Sequence, residues 1–302
     1  MQIRRLCDKP IITPETHPRV GANITGPSLI RVPGWFDNGL GAYYLYFASH
    51  AGSSIRLAYA DDLCGPWTLY EPGVLALDQS GCKHHIASPD VHIDDEKREF
   101  RMYYHGVIPG PRCNPLLLNV WRQKSKVSLS RDGLLFQPTE EVFGTDADDH
   151  AGTYFRVFHW NSYHYVAAMY GMFFRSRDGL TNFEQGPTLF TENLRHLAVD
   201  LRENTLRIYF SNAHDCPETI LLSTVELTDD WLTWTATDPV TVMVPGTPYE
   251  GVDLPLEPSE RDAPHGRVRE LRDPAVFKEE GRTYLLYTVA GESGIAIAEV
   301  LE

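Results

Sequence analysis

Short apolar stretches recur along the chain, and polar turn residues separate them. Short apolar runs bounded by turn residues are consistent with strands, and Gly, Asn, Asp or Glu between two such stretches indicates a hairpin. Five stretches stand out because they are rich in Tyr and Phe and each follows a turn of this kind. They begin at Ala42, Phe100, Tyr163, Leu206 and Thr283. The pattern predicts five similar β-units and no long amphipathic helix.

A second repeated feature lies in four of these units, where an acidic turn residue precedes an aromatic residue by four or five positions. Aspartate caps such a turn through its side chain, and the aromatic residue returns the chain to the core. The first strands of the units are expected near Gly26, Ser88, Thr153, Ala198 and Asp273. Five four-stranded units in 302 residues predict an all-β fold, a five-bladed β-propeller that occupies residues 1–302 as a single domain.

The last unit has only three clear strands before Glu302. The segment from Ile3 to Ile12 is expected to supply its missing outer strand, which would join the two ends of the chain and close the ring. A pair of β-sandwiches is the alternative architecture.

Composition narrows the range of partners. The formal net charge is −14, which argues against nucleic acid and anionic membrane surfaces, because both need a basic face. No apolar run reaches the ~20 residues of a membrane span, and the amino terminus has no apolar signal region, so we expect a cytoplasmic protein. The five cysteines show no C-x-x-C spacing and are expected to be free thiols in a reducing compartment.

Three segments carry a resemblance to a known group of enzymes. They are Thr25-Gly-Pro-Ser-Leu-Ile, Ile55 to Trp67 with its Asp-Asp-Leu-Cys-Gly-Pro-Trp ending, and Leu271-Arg-Asp-Pro-Ala-Val-Phe277. This pattern resembles the blades of the five-bladed glycoside hydrolases of family 43 and the related families 32, 62, 68 and 117. The resemblance implies a glycosidase in which three carboxylates from different blades meet at a central funnel.

The implied triad is incomplete at its usual positions. Asp273 stands in an Arg-Asp-Pro as the resemblance requires. Thr25 occupies the position where these enzymes carry the acidic Glu, and Ser88 occupies one where they often carry Asp.

Glycoside cleavage needs one ionised and one protonated carboxyl group on opposite sides of the scissile bond. Asp273 is the candidate for the ionised group. Glu250, in a long loop before the last unit, is the preferred acid, and Glu270 is the other candidate. Asp90 shares a strand face with Ser88 and is expected either to line the channel or to end a turn.

Several other side chains near the strand starts are candidates for substrate binding. Arg272 and Arg156 could bind acidic groups, the histidines could form hydrogen bonds to sugar hydroxyls, and Tyr154 and Trp35 could stack on sugar rings. The histidines are His85, His150 and His196. Their spacing matches no metal motif, so no cofactor is expected, although a metal ion in the funnel stays open.

The leading hypothesis is therefore a glycosidase that acts on an oligosaccharide at the central funnel with paired carboxylates. An enzyme of another class on the same scaffold, with or without a metal ion, is one alternative. A non-catalytic carbohydrate-binding propeller is the other.

Overall fold

Twenty strands form five four-stranded antiparallel sheets in the computed structural model, which describes residues 1–108, 123–144 and 152–301. The chain begins with β1 (Gln2–Arg5). Blade I then contains β2 (Thr25–Arg31), β3 (Tyr43–Ala48), β4 (Ser54–Ala60) and β5 (Thr68–Ala76). Blade II contains β6 (Lys83–Asp94), β7 (Glu99–Val107), β8 (Gln123–Ser130) and β9 (Gln137–Phe143).

The remaining three blades follow in chain order. Blade III contains β10 (Arg156–Trp160), β11 (Tyr163–Ala168), β12 (Met172–Ser176) and β13 (Glu184–Thr188). Blade IV contains β14 (Leu194–Arg202), β15 (Thr205–Asn212), β16 (Ile220–Glu226) and β17 (Val240–Met243). Blade V contains β18 (Leu271–Glu279), β19 (Arg282–Val289) and β20 (Ile295–Leu301).

Helical structure in the described residues is limited to single 3-10 turns. These are Pro14–Thr16, Leu77–Gln79, Met169–Gly171, Trp231–Thr233 and Pro248–Glu250. No helix in this part of the chain is both long and apolar enough to cross a bilayer.

The ring closes through the amino-terminal strand, as the sequence predicts. Strand β1 pairs antiparallel with β20, with Gln2 opposite Leu301 and Arg5 opposite Ala298, so the sheet order in blade V is β1-β20-β19-β18. Further along the same segment, Ile12 forms an isolated bridge with Ile295. Blade V therefore contains strands from both ends of the chain, and the five-bladed β-propeller is confirmed.

The second strand of each blade is buried on both faces, which explains its nearly continuous apolar sequence. In β3, Leu45 and Phe47 pack in the cluster that also holds Leu286 and Ile297 of blade V. The alternate residues of the same strand, Tyr44 and Tyr46, pack in the cluster shared with blade II. Successive side chains of a strand point to opposite faces, so one strand packs in the interfaces with both neighbouring blades.

The first strands begin with an irregular backbone. Register shifts occur between Thr25 and Ser28, Ala87 and Asp90, Leu194 and Leu197, and Arg272 and Ala275. Residues with positive φ recur near these starts, among them Gly26 at 61°, Ser88 at 49°, Tyr154 at 57° and Asp273 at 47°. Bulges of this kind redirect side chains, and here they recur at one end of the ring. We call this end the funnel end, and the end that carries the turns between first and second strands the hairpin end.

The cysteine prediction is wrong for two residues. Cys7 follows β1, and Cys64 lies in the turn between β4 and β5; they form a disulfide with their Cα atoms 5.8 Å apart. Their separation of 57 positions hides the pair from any local motif, and closure of the ring brings them together. Cys82 and Cys216 are free, and Cys113 lies outside the described residues.

Candidate active site

Asp273 lies at the funnel end of β18 and is fully buried. The bulge at the start of this strand turns its carboxylate toward the neighbouring blades. There the carboxylate accepts hydrogen bonds from the Thr25 hydroxyl and, over 3.2 Å, from the Gly26 backbone N–H. Its other oxygen contacts Nδ1 of His196. Three blades therefore meet at one carboxylate.

The environment of Asp273 favours its ionised form. Burial on its own would raise the pKa of the carboxyl group, but the His196 imidazole and the Thr25 hydroxyl outweigh it, with a further contribution from Arg195. The net result is a pKa well below the ordinary range of an aspartate. Asp273 is therefore a carboxylate at neutral pH.

A series of ring contacts links His196 to blades III and II. The Tyr154 ring lies 4.4 Å from the His196 ring and 3.9 Å from the His105 ring, measured between centroids. The His105 ring in turn lies 5.8 Å from that of His85. The structure thus brings together Asp273, His196, Tyr154 and His85, all predicted from the sequence. His105, which is buried in the middle of β7, was missed because nothing in the strand distinguishes it from a core residue.

Arg272 organises a second group of carboxylates beside Asp273. Its fully buried guanidinium donates to Glu270 over 2.7 Å and to Glu292 over 3.2 Å, and it lies 3.4 Å from Glu218. Arg195 donates to the other oxygen of Glu218 over 2.8 Å. Two arginines hold three acidic groups in the interior, where an unpaired charge would be costly. Arg272 is therefore engaged by the protein's own carboxylates.

Two carboxyl groups on Arg272 are shifted in opposite directions. Burial raises the pKa of Glu270 above its ordinary value, although Arg272 opposes the shift. Burial also disfavours the charged form of Glu292, but its hydrogen bond with His50 outweighs this and the pKa of Glu292 is lowered. Environments that separate the pKa values of neighbouring acids are typical of acid–base sites.

Glu292 and His50 are site residues that the sequence reasoning missed. Glu292 accepts from Asn23 over 2.6 Å and lies 3.4 Å from Nδ1 of His50, and this contact raises the pKa of His50. Both residues lie in connections between second and third strands, after β3 in blade I and after β19 in blade V.

The hydrogen bonds of Glu250 are made with residues other than those around Asp273 and Arg272. It is fully buried, and its two oxygens accept hydrogen bonds from Arg5, from Tyr287 and from the backbone N–H groups of Gly246 and Thr247. These contacts tie the loop before blade V to strand β1. The sequence placed Glu250 in the site because it lies in a long loop before the last unit, but the residue ends a 3-10 turn with a capping box. Its expected role as the acid is corrected to a structural one.

Asp90 and Arg156 join blades II and III. Asp90 accepts from the Val157 backbone N–H and lies against His92, both over 2.8 Å. Arg156 donates to the Pro89 carbonyl over 2.8 Å and lies 3.8 Å from Asp90. Within the described part of the chain, the hydrogen bonds and ion pairs of both side chains lie between blades II and III and not at Asp273.

Trp35 is at the wrong end of the molecule for its expected role. It lies in the turn between β2 and β3, and its indole N–H donates to Asp95 over 2.8 Å. This is the hairpin end, and the length of β2, about 20 Å at ~3.3 Å per residue, separates it from the strand start. The prediction that Trp35 stacks on a sugar in the funnel is therefore corrected. His150 lies outside the described residues.

A cavity of about 340 Å³ reaches Glu270 and Arg272 from the surface. The loop before β18 forms its walls with Pro255, Pro258, Pro264, His265 and Arg269, among other residues. Backbone carbonyls of the same loop accept hydrogen bonds from the buried Arg195 and Arg272, which fix the loop over the site. The volume is in the range of small-ligand pockets.

No group of three or more His, Cys, Asp or Glu side chains within residues 1–108, 123–144 and 152–301 is arranged to hold a metal ion. That no cofactor is needed stays a prediction.

The fold and its buried acidic funnel define a class, the five-bladed β-propellers of the type seen in family 43 glycoside hydrolases. A solved structure from Bacteroides thetaiotaomicron VPI-5482 superimposes with a TM-score of 0.68 at 13% identity, covering 98% of this chain and 96% of the other. A family 43 β-xylosidase/α-arabinofuranosidase from a compost microbial metagenome, solved with xylotriose, gives 0.62 at 12% identity with 99% and 96% covered. A family 43 enzyme from Xanthomonas citri gives 0.61 at 11% identity with 97% and 90% covered.

Comparison of the sequence with known proteins identifies a family to which the chain belongs. It belongs to the same family as an uncharacterized protein of Acanthamoeba polyphaga mimivirus, with 36% identity over 311 residues that cover 92% of this chain and 83% of the relative. No protein-family model matches the sequence.

Proposed function

We propose that the protein cleaves a glycosidic bond of an oligosaccharide at the funnel end, with Asp273 as the ionised carboxylate and Glu270 as the proton donor. The observation that carries the proposal is the state of Asp273, which is fully buried, ionised and held by groups from the two other blades I and IV. The fold supports the proposal, because the family 43 enzymes named above share it and one of them was solved with xylotriose.

Glu270 replaces Glu250 as the acid because its surroundings suit the role. Burial raises the pKa of Glu270, which favours the protonated form that a leaving oxygen requires, and its side chain reaches the cavity beneath the loop. Arg272 holds the carboxyl group in place through hydrogen bonds from two guanidinium nitrogens. The substrate would enter through the cavity and place its glycosidic oxygen near Glu270.

A second candidate function rests on the contact between Asp273 and His196. An aspartate on Nδ1 orients an imidazole and fixes its tautomer, which leaves Nε2 to exchange a proton with a substrate. Nε2 of His196 is buried and has no hydrogen-bond partner among the described residues. This arrangement favours a general acid–base enzyme of another class, in which His196 and not Glu270 transfers the proton.

The test is turnover of a panel of aryl glycosides with good and poor leaving groups. Glu270→Gln should lose about 10²–10⁴-fold in rate on substrates with poor leaving groups and keep most of its rate on dinitrophenyl glycosides, which need no acid. Asp273→Asn should lose the rate on both kinds of substrate. Glu203→Gln, an exposed carboxylate in the turn between β14 and β15, is the matched control and should behave as wild type.

The same panel separates the alternatives. A Glu270→Gln variant that retains its rate on poor leaving groups, combined with inactivity of His196→Gln, would transfer the proton role to the imidazole. Saturable oligosaccharide binding without turnover of any glycoside would contradict hydrolysis and leave a binding propeller.

A further inference from the structure

A cavity of about 520 Å³ lies beside the proposed active site, between the amino-terminal segment and the loop before blade V. Arg267 lines this cavity and also the cavity of about 340 Å³ that reaches Glu270. Ser293, another wall residue, directly follows Glu292, whose carboxylate accepts a hydrogen bond from the buried Arg272. The two cavities are therefore neighbours at the funnel end, and we call the larger one the second cavity.

Ring side chains form a large part of the wall of the second cavity. Pro10 and Pro14 come from the amino-terminal segment, and Pro248 and Tyr249 come from a 3-10 turn in the loop. Tyr249 packs against the core cluster of blades IV and V, yet it stays partly exposed. Sugar rings have apolar C–H faces, which stack on flat aromatic surfaces. The volume is within the range of small-ligand sites.

The charges on the wall of the second cavity balance. Among the described residues that line it, Glu15 and Arg267 are the charged ones, one of each sign. The hydrogen bond with the Thr13 side chain lowers the pKa of Glu15, and the charge of Arg267 adds a smaller contribution. An ionised ligand would meet one repulsive group here, whereas the hydroxyl groups of a neutral sugar can donate to Glu15 and accept from Arg267.

Hydrogen bonds hold the walls in place without a ligand. The amino-terminal segment is fixed to blade V, because the Ile295 backbone N–H donates to the Ile12 carbonyl over 2.9 Å. The loop is fixed to its own 3-10 turn, because Arg267 donates to the Pro248 carbonyl over 2.8 Å. A preformed cavity orders few groups on binding, so more of the contact energy becomes affinity.

We infer that the second cavity binds a further, uncharged sugar unit of the oligosaccharide, which stacks on Tyr249 and forms hydrogen bonds with Glu15 and Arg267. The bound oligosaccharide passes Arg267 between the cavity at Glu270 and the ring of Tyr249. The inference rests on the proposed function, because it takes the occupant to be part of the substrate that is cleaved at Glu270.

The first measurement compares kcat and KM for an aryl monosaccharide glycoside with those for homologous oligosaccharides of the same sugar. The wild-type KM should fall once the substrate is long enough to reach the second cavity. Tyr249→Ala should raise the KM for these longer substrates about 3- to 10-fold with kcat unchanged, because it removes binding that is equal in the ground state and the transition state. The same variant should leave the KM for the aryl glycoside unchanged, since that substrate is too short to reach Tyr249.

A second variant removes no contact of the core. Ala22 is exposed on the cavity wall, so the indole of Ala22→Trp should fill the cavity and reproduce the effect of Tyr249→Ala. Tyr249→Phe keeps the ring and should behave like the wild type. Tyr70→Ala is the matched control, because Tyr70 is also partly exposed and packed against a core cluster but lies outside the cavity. It should leave every KM unchanged.

An array of printed neutral and acidic oligosaccharides measures binding separately from turnover. The wild type should bind neutral oligosaccharides, and Tyr249→Ala and Ala22→Trp should lose this binding. If no glycoside is cleaved but the array shows this pattern, the proposed hydrolase fails and the second cavity stands as a sugar site. Cleavage with the same KM values in the wild type and both variants would overturn the inference and leave the hydrolase standing. Absence of array binding, or selective binding of acidic oligosaccharides, would also overturn it.

Discussion

Removal of the Cys7–Cys64 disulfide should cost a large part of the protein's stability. The bond closes a loop of 57 residues in the unfolded chain. In the chain-entropy model, a cross-link over a loop of that length destabilises the unfolded state by about 4 kcal/mol at 25 °C. Domains unfold with only about 5–15 kcal/mol in total, so the double variant Cys7→Ser/Cys64→Ser should lose at least a quarter of its free energy of unfolding.

The measurement is urea unfolding followed by tryptophan fluorescence, with thermal unfolding in parallel. For a chain of this size, a loss of about 4 kcal/mol corresponds to a Tm about 6 °C lower. Cys216→Ser, which removes an exposed free thiol, is the control and should unfold like the wild type. A loss below about 1 kcal/mol in the double variant would refute the reasoning and show that the unfolded chain keeps the two segments together without the bond.

Three further perturbations test the structural roles assigned above. Glu250→Gln leaves the Arg5 guanidinium without an ionised partner and should lower the free energy of unfolding by about 3 kcal/mol in urea. Because the pKa of Asp273 is lowered in the folded state, its contribution to stability is present above about pH 4 and is lost as the pH falls further; Asp273→Asn should flatten the acid limb of a stability–pH profile. Gly26→Ala would place a Cβ 2.8 Å from the Ser88 Cα at a φ of 61°, so it should lower the unfolding midpoint by an amount worth about 1–3 kcal/mol.

Each of these expectations has an opposite outcome that would count against it. An unchanged urea midpoint for Glu250→Gln would mean that the buried carboxylate is not essential to the join between strand β1 and the loop. A wild-type acid limb in Asp273→Asn would show that other carboxylates control acid unfolding. Full stability of Gly26→Ala would show that the two strand starts can move apart.

The propeller was predictable because each blade is a local pattern that the chain repeats. Paired turns and aromatic strands lie within about forty residues of each other in most units, so the sequence alone indicates the hairpins. Closure of the five units into a ring brings the starts of the first strands to one end of the molecule. For this reason Asp273, His196 and Tyr154 could be predicted together as site residues from the sequence.

The parts that were missed depend on contacts between distant segments. Glu292 and His50 meet over a separation of 242 positions, and neither lies in a recognisable motif. Glu250 was assigned to the site because it lies in a long loop, and the sequence did not reveal that this part of the loop is a capped 3-10 turn. The disulfide depends on a contact that exists only once the ring has closed.

The closing strand also has a consequence for the order in which the protein is made. Strand β1 leaves the ribosome before blade I, yet its partner β20 is synthesised almost three hundred residues later, with Gln2 opposite Leu301. Until then its backbone N–H and C=O groups have no sheet to pair with, and such an edge invites mispairing. Cys7 follows this strand directly, and Cys64 belongs to the first blade to emerge. An early cross-link between them would keep the strand beside blade I while the other blades are translated.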